Sequence, residues 1–427
     1  VHQVTRLSNG LTVATAEMPH MASVSLGLWV GVGSRHETSG LNGATHFIEH
    51  LLFKGTRRRS AENISQDVEG VGGYLNAFTS EEHTCFYSRA CADKLVPLLD
   101  VLMDMFLHSL FAPREIAKER DVIKEEVAMY QDQPAQHVQE LLNETLWPGQ
   151  PLGRPITGTE QTLDALGRRQ LLEFQREKYV ASNTLIAAAG NLRHRDLVKA
   201  VARYAPRFAT GKRPLFLPAA NGQTAPRVRL HTKKTEQTHI ALGIRTCSRH
   251  DERRFALRLL NVLLGENMSS RLFQVLRENH GLAYNIYSST SHFDDTGDLV
   301  IAAGLDTDKL PQTLKLTLRE LRRLTQTPPA AVELRRARDY LIGQMELSLE
   351  STENQMMWLG EQLLSYGKTV SATEVKRRFC EVRATEIRAA ARDFFRPERL
   401  SLALVSPLKR ESNVVKRFKF QARMDMA

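Results

Sequence analysis

Apolar positions in residues 44 to 52 recur at helical spacing: Ala44, Phe47, Ile48, Leu51 and Leu52 fall on one side of a helix. His46, Glu49 and His50 fall on the other side, and Gly55 is placed to end the helix. A second helix is predicted over 114–130, with Pro113 suited to its start. On it Ile116, Glu119, Val122, Ile123, Glu126, Val127 and Tyr130 share one face, while Lys118, Arg120, Asp121, Lys124 and Glu125 take the other. Two carboxylates, Glu119 and Glu126, therefore lie on an apolar face. Losing hydration there is costly unless a cation compensates.

The same pattern reads as one plan written twice. The first copy closes with Tyr179 to Asn183 and an apolar strand over 184–189; the second closes with Phe394 to Arg399 and a strand over 400–405. Asp93-Lys94-Leu95 opens a long helical stretch, as does Asp308-Lys309-Leu310. Arg120-Asp121-Val122-Ile123 has an echo in Arg338-Asp339-Tyr340-Leu341-Ile342. Each half runs strands, helix, strands, long helices, final strand. That order predicts an α+β fold of two homologous domains, each a mostly antiparallel sheet with helices packed on one face. The expected boundaries are a first domain over 1–210, a linker over 211–227, a second domain over 228–408 and a basic tail over 409–427. The opening residues read as a strand and an Asn9-Gly10 turn rather than a targeting peptide, and Gly70 to Gly73 as a turn.

Length supports this division, since 427 residues exceed one typical core. Apolar content of 42% and charged content of 25% are those of a globular protein, and no apolar run approaches membrane-spanning length. The net charge of +10 is dispersed and accompanies no nucleic-acid motif, so neither nucleic acid nor a membrane is expected as a partner. Four cysteines, Cys85, Cys91, Cys247 and Cys380, have no zinc-ligand spacing and suggest no disulfide framework, which fits a reducing compartment.

The chemistry sits in His46-Phe47-Ile48-Glu49-His50, an H-x-x-E-H segment. Two histidines four residues apart on a helix stand one above the other and can bind one zinc ion. Glu126 would be the third ligand, and Glu119, two turns earlier, would support a ligand or assist proton transfer. Glu49 would be the general base. The second copy has no such motif, and Gln344 stands where the aligned echoes would put Glu126.

Together these residues resemble the M16 family of metallopeptidases. Gly31 to Glu37, Gly43 to Thr56, the stretch Glu119 to Ile123 with Glu126, and Gly73 to Thr79 all match its segments. In the second half so do Met268 to Phe273 and Arg277 to Tyr284. The resemblance implies a zinc endopeptidase acting on unfolded peptides or extended precursor segments inside a dimeric clamshell, as a homodimer or with a metal-less homologue. It implies that Asn76 and Ala77 bind substrate on an edge strand and that Arg277 and Tyr284 hold substrate carbonyls. It favours a bacterial cytoplasmic peptidase, with the mitochondrial matrix as the alternative location. A non-catalytic or partner-dependent subunit, like the core subunits of the respiratory bc1 complex, is the competing function.

Overall fold

A computed structural model of the chain describes residues 2–409 together with Lys416 and Phe418. Most of the expected basic tail lies outside the described residues. The chain forms two compact units. Neither follows the chain continuously: among the described residues, the first takes in 2–128, 154–217 and 347–370, and the second the others.

In the first unit, β1 (His2–Arg6), β2 (Thr12–Glu17), β3 (Ser23–Val30), β4 (Tyr74–Thr79), β5 (Thr84–Cys91) and β6 (Thr184–Gly190) form one sheet in the order β1-β2-β6-β3-β5-β4. Only the β2–β6 pair is parallel. In the second unit, β7 (Arg227–Thr232), β8 (Thr238–Thr246), β9 (Ala283–His292), β10 (Gly297–Leu305) and β11 (Leu400–Ser406) take the order β7-β11-β8-β10-β9. Again one pair, β7–β11, is parallel. The two orders superpose strand for strand once β1 is set aside, which is the repeat expected from the sequence. In each sheet, the last strand inserts beside the first.

Three helices matter for the site: α1 (Ala44–Leu52), α2 (Leu95–His108) and α3 (Pro113–Asp132), the last belonging to the first unit up to residue 128. The apolar stripe of α1 is fully buried, with Leu98 and Leu102 of α2 and Val24, Leu26 and Leu28 of β3 in the same core. Helix α3 buries Ile116, Glu119, Ile123 and Val127, a spine at helical spacing. Val122, expected on that face, is instead 42% exposed. It lies one residue off the spine, about 100° round the helix.

The expectation that helices cover one face of each sheet needs correction. Strand residues alternate between faces, so β3 sends Val24, Leu26 and Leu28 to one core and Trp29 to another. The second face is also buried, and the covering helix comes from the other half of the chain. Helix α4 (Pro134–Leu146) packs Val138, Leu142 and Leu146 on Ala241, Val300 and Ala403 of the second sheet. Helix α5 (Thr352–Tyr366) packs Met356 and Leu359 on Trp29 of the first. The Trp29 indole N–H donates to Met356 Sδ at 3.4 Å, and the Ser25 and Thr352 hydroxyls meet at 2.9 Å.

Gly360 lies where α5 crosses Trp29, and a Cβ there would overlap the indole ring. Elsewhere in a helix Gly→Ala gains about 1 kcal/mol. Here overpacking against a rigid ring costs about 1–3 kcal/mol. Gly360→Ala is therefore expected to lower the urea midpoint, and a raised midpoint would refute this packing.

Candidate metal centre

Helix α1 is set in place from both ends. At its start, the buried Glu37 carboxylate accepts from the amides of Gly43 at 2.9 Å and Thr45 at 2.8 Å, and from the Asn42 side chain at 3.2 Å. A carboxylate suits the positive end of a helix. Burial nevertheless pushes this one up to about 7, against the pull of its donors. At the other end the helix closes at Phe53, and Gly55, with φ of 106°, turns the chain as its position suggested.

Beyond that turn, Arg58 and Arg59 bind Asp100 of α2 at 2.7 Å each, and Arg59 also reaches Asp104 at 2.9 Å. Burial works against both carboxylates. Hydrogen bonds from Arg58, Arg59 and Tyr204 hold Asp100 well below the usual carboxylate range, and those from Thr56, Arg59 and His108 lower Asp104. A depressed folded-state value gives stability that is present above the unfolded pKa near ~3.9 and lost as pH falls below it. Asp100→Asn is therefore expected to melt below wild type at pH 7, with the gap narrowing between about pH 5 and pH 2. A constant gap would mean that the carboxylate charge is not what anchors this segment.

Between these anchors, His46 and His50 project toward Glu126 of α3. Their Nε2 atoms lie 3.8 and 3.7 Å from the same oxygen, Glu126 Oε2. The three donor atoms are all within 4.8 Å of one another, the one such cluster of histidine, cysteine or carboxylate groups among the described residues. Burial, helped by the neighbouring His50, lowers His46 to about 3, so its ring is neutral at physiological pH. His50 Nδ1 meets Glu119 Oε2 at 3.1 Å, and Glu119 Oε1 is 2.8 Å from Lys54 Nζ. That contact fixes the proton on Nδ1 and leaves the Nε2 lone pair facing the cluster. Two imidazoles and one carboxylate are the donor set of a catalytic divalent-metal site. Glu119 is 1% exposed and stands behind His50. Of its two expected roles, this is the geometry of a residue that supports a ligand.

Glu49 lies on the same helix but outside the donor cluster. Burial raises its pKa, opposed by a hydrogen bond that it accepts from Thr79 Oγ1 at 2.5 Å. Thr79 ends β4, which is the edge strand of its sheet, as the substrate role of Asn76 and Ala77 requires. The Ala77 amide donates to Asn76 Oδ1 at 2.8 Å rather than to β5, so it faces the free edge. Arg277 and Tyr284 belong to the second unit. The Arg277 guanidinium lies 5.1 Å from the Tyr284 ring centre, and Tyr284, on the edge strand β9, is 79% exposed.

The family profile described as insulinase, peptidase family M16, matches residues 12–160, and that of the peptidase M16 inactive domain matches 165–341. An uncharacterised zinc protease of Streptomyces coelicolor is 40% identical over 95% of this chain and 89% of its own length. The chain belongs to peptidase family M16. Among solved structures, a protease from Helicobacter pylori superposes with a TM-score of 0.89 at 20% identity, covering 95% of this chain and all of that one. A chain of complex III2 from Candida albicans gives 0.83 at 18% identity, covering 99% of this chain and all of its own. Both likenesses show the M16 fold alone. The peptidase profile spans every residue of the donor cluster together with Glu49, whereas Arg277 and Tyr284 fall within the inactive-domain profile.

Glu37 and Thr79 lie in segments that match the M16 pattern, yet nothing in the sequence assigns them a task. A carboxylate shortly before a helix is a usable signal for Glu37. Thr79 has no such signal, because its partner lies 30 residues away.

Proposed function

We propose that this M16 protein is a zinc-dependent endopeptidase that hydrolyses unfolded peptides or extended precursor segments, working as a dimer. The observation that carries this reading is the convergence of His46 and His50, which share one short helix with Glu49, on Glu126 of α3. His46, His50 and Glu126 would hold the zinc, and Glu119 would keep His50 oriented. Zinc in such a site polarises the scissile carbonyl and lowers the pKa of water. Glu49 takes the proton of the attacking water and later delivers it to the leaving amine. The free edge of β4 pairs with the peptide backbone, which gives affinity with little sequence preference. Arg277 and Tyr284 bind substrate carbonyls in this reading, a role that rests on the family resemblance. A bacterial setting is supported by the Streptomyces relative, and a cytoplasmic location is part of this proposal. No described helix is long and apolar enough to cross a membrane.

The test is cleavage of a quenched, unstructured peptide of roughly 20 residues by the purified chain, with zinc content and mass by light scattering measured on the same sample. Cleavage of the peptide but not of a stably folded protein, by a zinc-loaded dimer, is the expected result. The likeness to a complex III2 chain raises a second reading, a scaffold or partner-dependent subunit. Zinc binding without cleavage would favour it, and absence of zinc binding would reject the site itself.

A further inference from the structure

The contact between Thr79 and Glu49 carries more than the satisfaction of a buried carboxylate. An ionised carboxylate only accepts hydrogen bonds, so the Thr79 hydroxyl must be the donor across their 2.5 Å contact. Behind it stands Thr84, whose hydroxyl donates to the Val32 carbonyl at 2.9 Å. Thr84 Oγ1 lies 3.4 Å from Thr79 Oγ1, and its own proton is already committed. Thr84 Oγ1 can therefore only accept from Thr79, and at 3.4 Å against 2.5 Å it is a much weaker acceptor for the Thr79 proton than Glu49 Oε2. The bond engages Oε2 and leaves Oε1 as the oxygen available to a water molecule.

Place in the chain adds a second point. Thr79 terminates β4, three residues after Asn76, and β4 is the edge on which a peptide would pair. Glu49 stands on α1 between the histidines. A glutamate side chain has three rotatable bonds, and fixing them costs up to ~2 kcal/mol in rotamer freedom. Misplacing a reacting group by about 1 Å can cost roughly a hundredfold in rate. A hydroxyl anchored in the substrate strand removes that freedom and refers the carboxylate to the strand that positions the scissile bond.

We propose that Thr79 is a positioning residue for the hydrolytic reaction: its hydroxyl holds Glu49 Oε2 so that Oε1 alone faces the attacking water and receives its proton. The oxygen–hydrogen bond of the water breaks as its oxygen bonds the carbonyl carbon. The proton resides on Oε1 until it passes to the nitrogen of the leaving amine as the carbon–nitrogen bond breaks. Thr79 keeps its own proton throughout. This inference rests on Glu49 being the base.

The test compares Thr79→Val, which keeps the shape without the hydroxyl, with Thr79→Ser, which keeps the hydroxyl. Thr79→Val is expected to lose about 10- to 100-fold in kcat, with KM within about twofold and one zinc per chain retained. Thr79→Ser is expected to recover kcat to within about threefold of wild type. A purely structural threonine would instead lower the melting midpoint and leave kcat of the folded fraction unchanged. Wild-type kcat in Thr79→Val, or equal loss in both variants, overturns the proposal. A crystal structure of zinc-loaded Thr79→Val supplies a readout independent of turnover: the Glu49 carboxylate should move or occupy several rotamers, and an unchanged single rotamer overturns the proposal. If wild type cleaves nothing, the peptidase reading fails and the crystallographic comparison still decides the role of Thr79. If Thr79→Val does not fold, Thr79→Ser and Thr79→Ala answer the same question.

Discussion

Glu49→Gln is expected to lower peptide hydrolysis by at least about a thousandfold, within the range of a lost general base, while one zinc per chain stays bound. The substitution keeps the length and shape of the side chain. Its carbonyl oxygen still accepts the hydrogen bond from Thr79 Oγ1, so the packing beneath α1 is preserved. What disappears is the ability to take a proton. Because the donor cluster consists of His46, His50 and Glu126 without Glu49, metal content separates the two jobs. Steady-state cleavage and zinc analysis on the same preparation check the prediction. Residual activity near wild type would place the base elsewhere, and loss of zinc would make Glu49 a ligand rather than a base. A parallel loss of thermal stability would be unexpected, since burial raises the pKa of Glu49 and removing a buried charge relieves a desolvation cost.

The donor cluster was legible in the sequence because most of its information is local. His46 and His50 are four residues apart, and helical phase alone puts them above one another, away from Phe47 and Ile48. Glu126 needed one further step, the recognition that a carboxylate on an apolar face requires a cation. The same phase argument failed for Val122, because a mean apolar face spans more of the helix than the spine of Ile116, Glu119, Ile123 and Val127 that packing uses. Helices α4 and α5 mark the deeper limit. The amphipathic pattern of α4 shows that Val138, Leu142 and Leu146 are covered, but nothing in it says that the covering sheet belongs to the other half of the chain. Periodicity reports that a face is buried, and the partner is a matter of topology. The edge position of β4 has the same character, since alternation cannot separate an edge strand from an interior one. Arg277 and Tyr284 span the change from a helical segment to β9, so no single period relates them. Their pairing came from the resemblance and is seen only in three dimensions.

The metal site itself predicts a graded response in α1 and α3. His50→Ala removes an Nε2 donor and also leaves the carboxylate of Glu119, 1% exposed, with Lys54 as its remaining charged partner. A zinc site of roughly 10–16 kcal/mol divided among three or four ligands gives about 3–4 kcal/mol for each, so zinc affinity should fall by several hundredfold, about 150- to 900-fold. Glu119→Gln leaves all three donors in place. Its side-chain carbonyl still accepts from His50 Nδ1, but the charge that increases the basicity of the imidazole is gone, and such support is worth about 10- to 100-fold in affinity. Competition against a chromophoric chelator measures both. At saturating zinc, Glu119→Gln should regain at least roughly a tenth of wild-type kcat, whereas His50→Ala should regain almost none. Equal affinities in the two variants would mean that Glu119 does not act through His50. Full metal loading of Glu119→Gln with no turnover would make Glu119 a participant in proton transfer rather than the residue that holds a ligand in place.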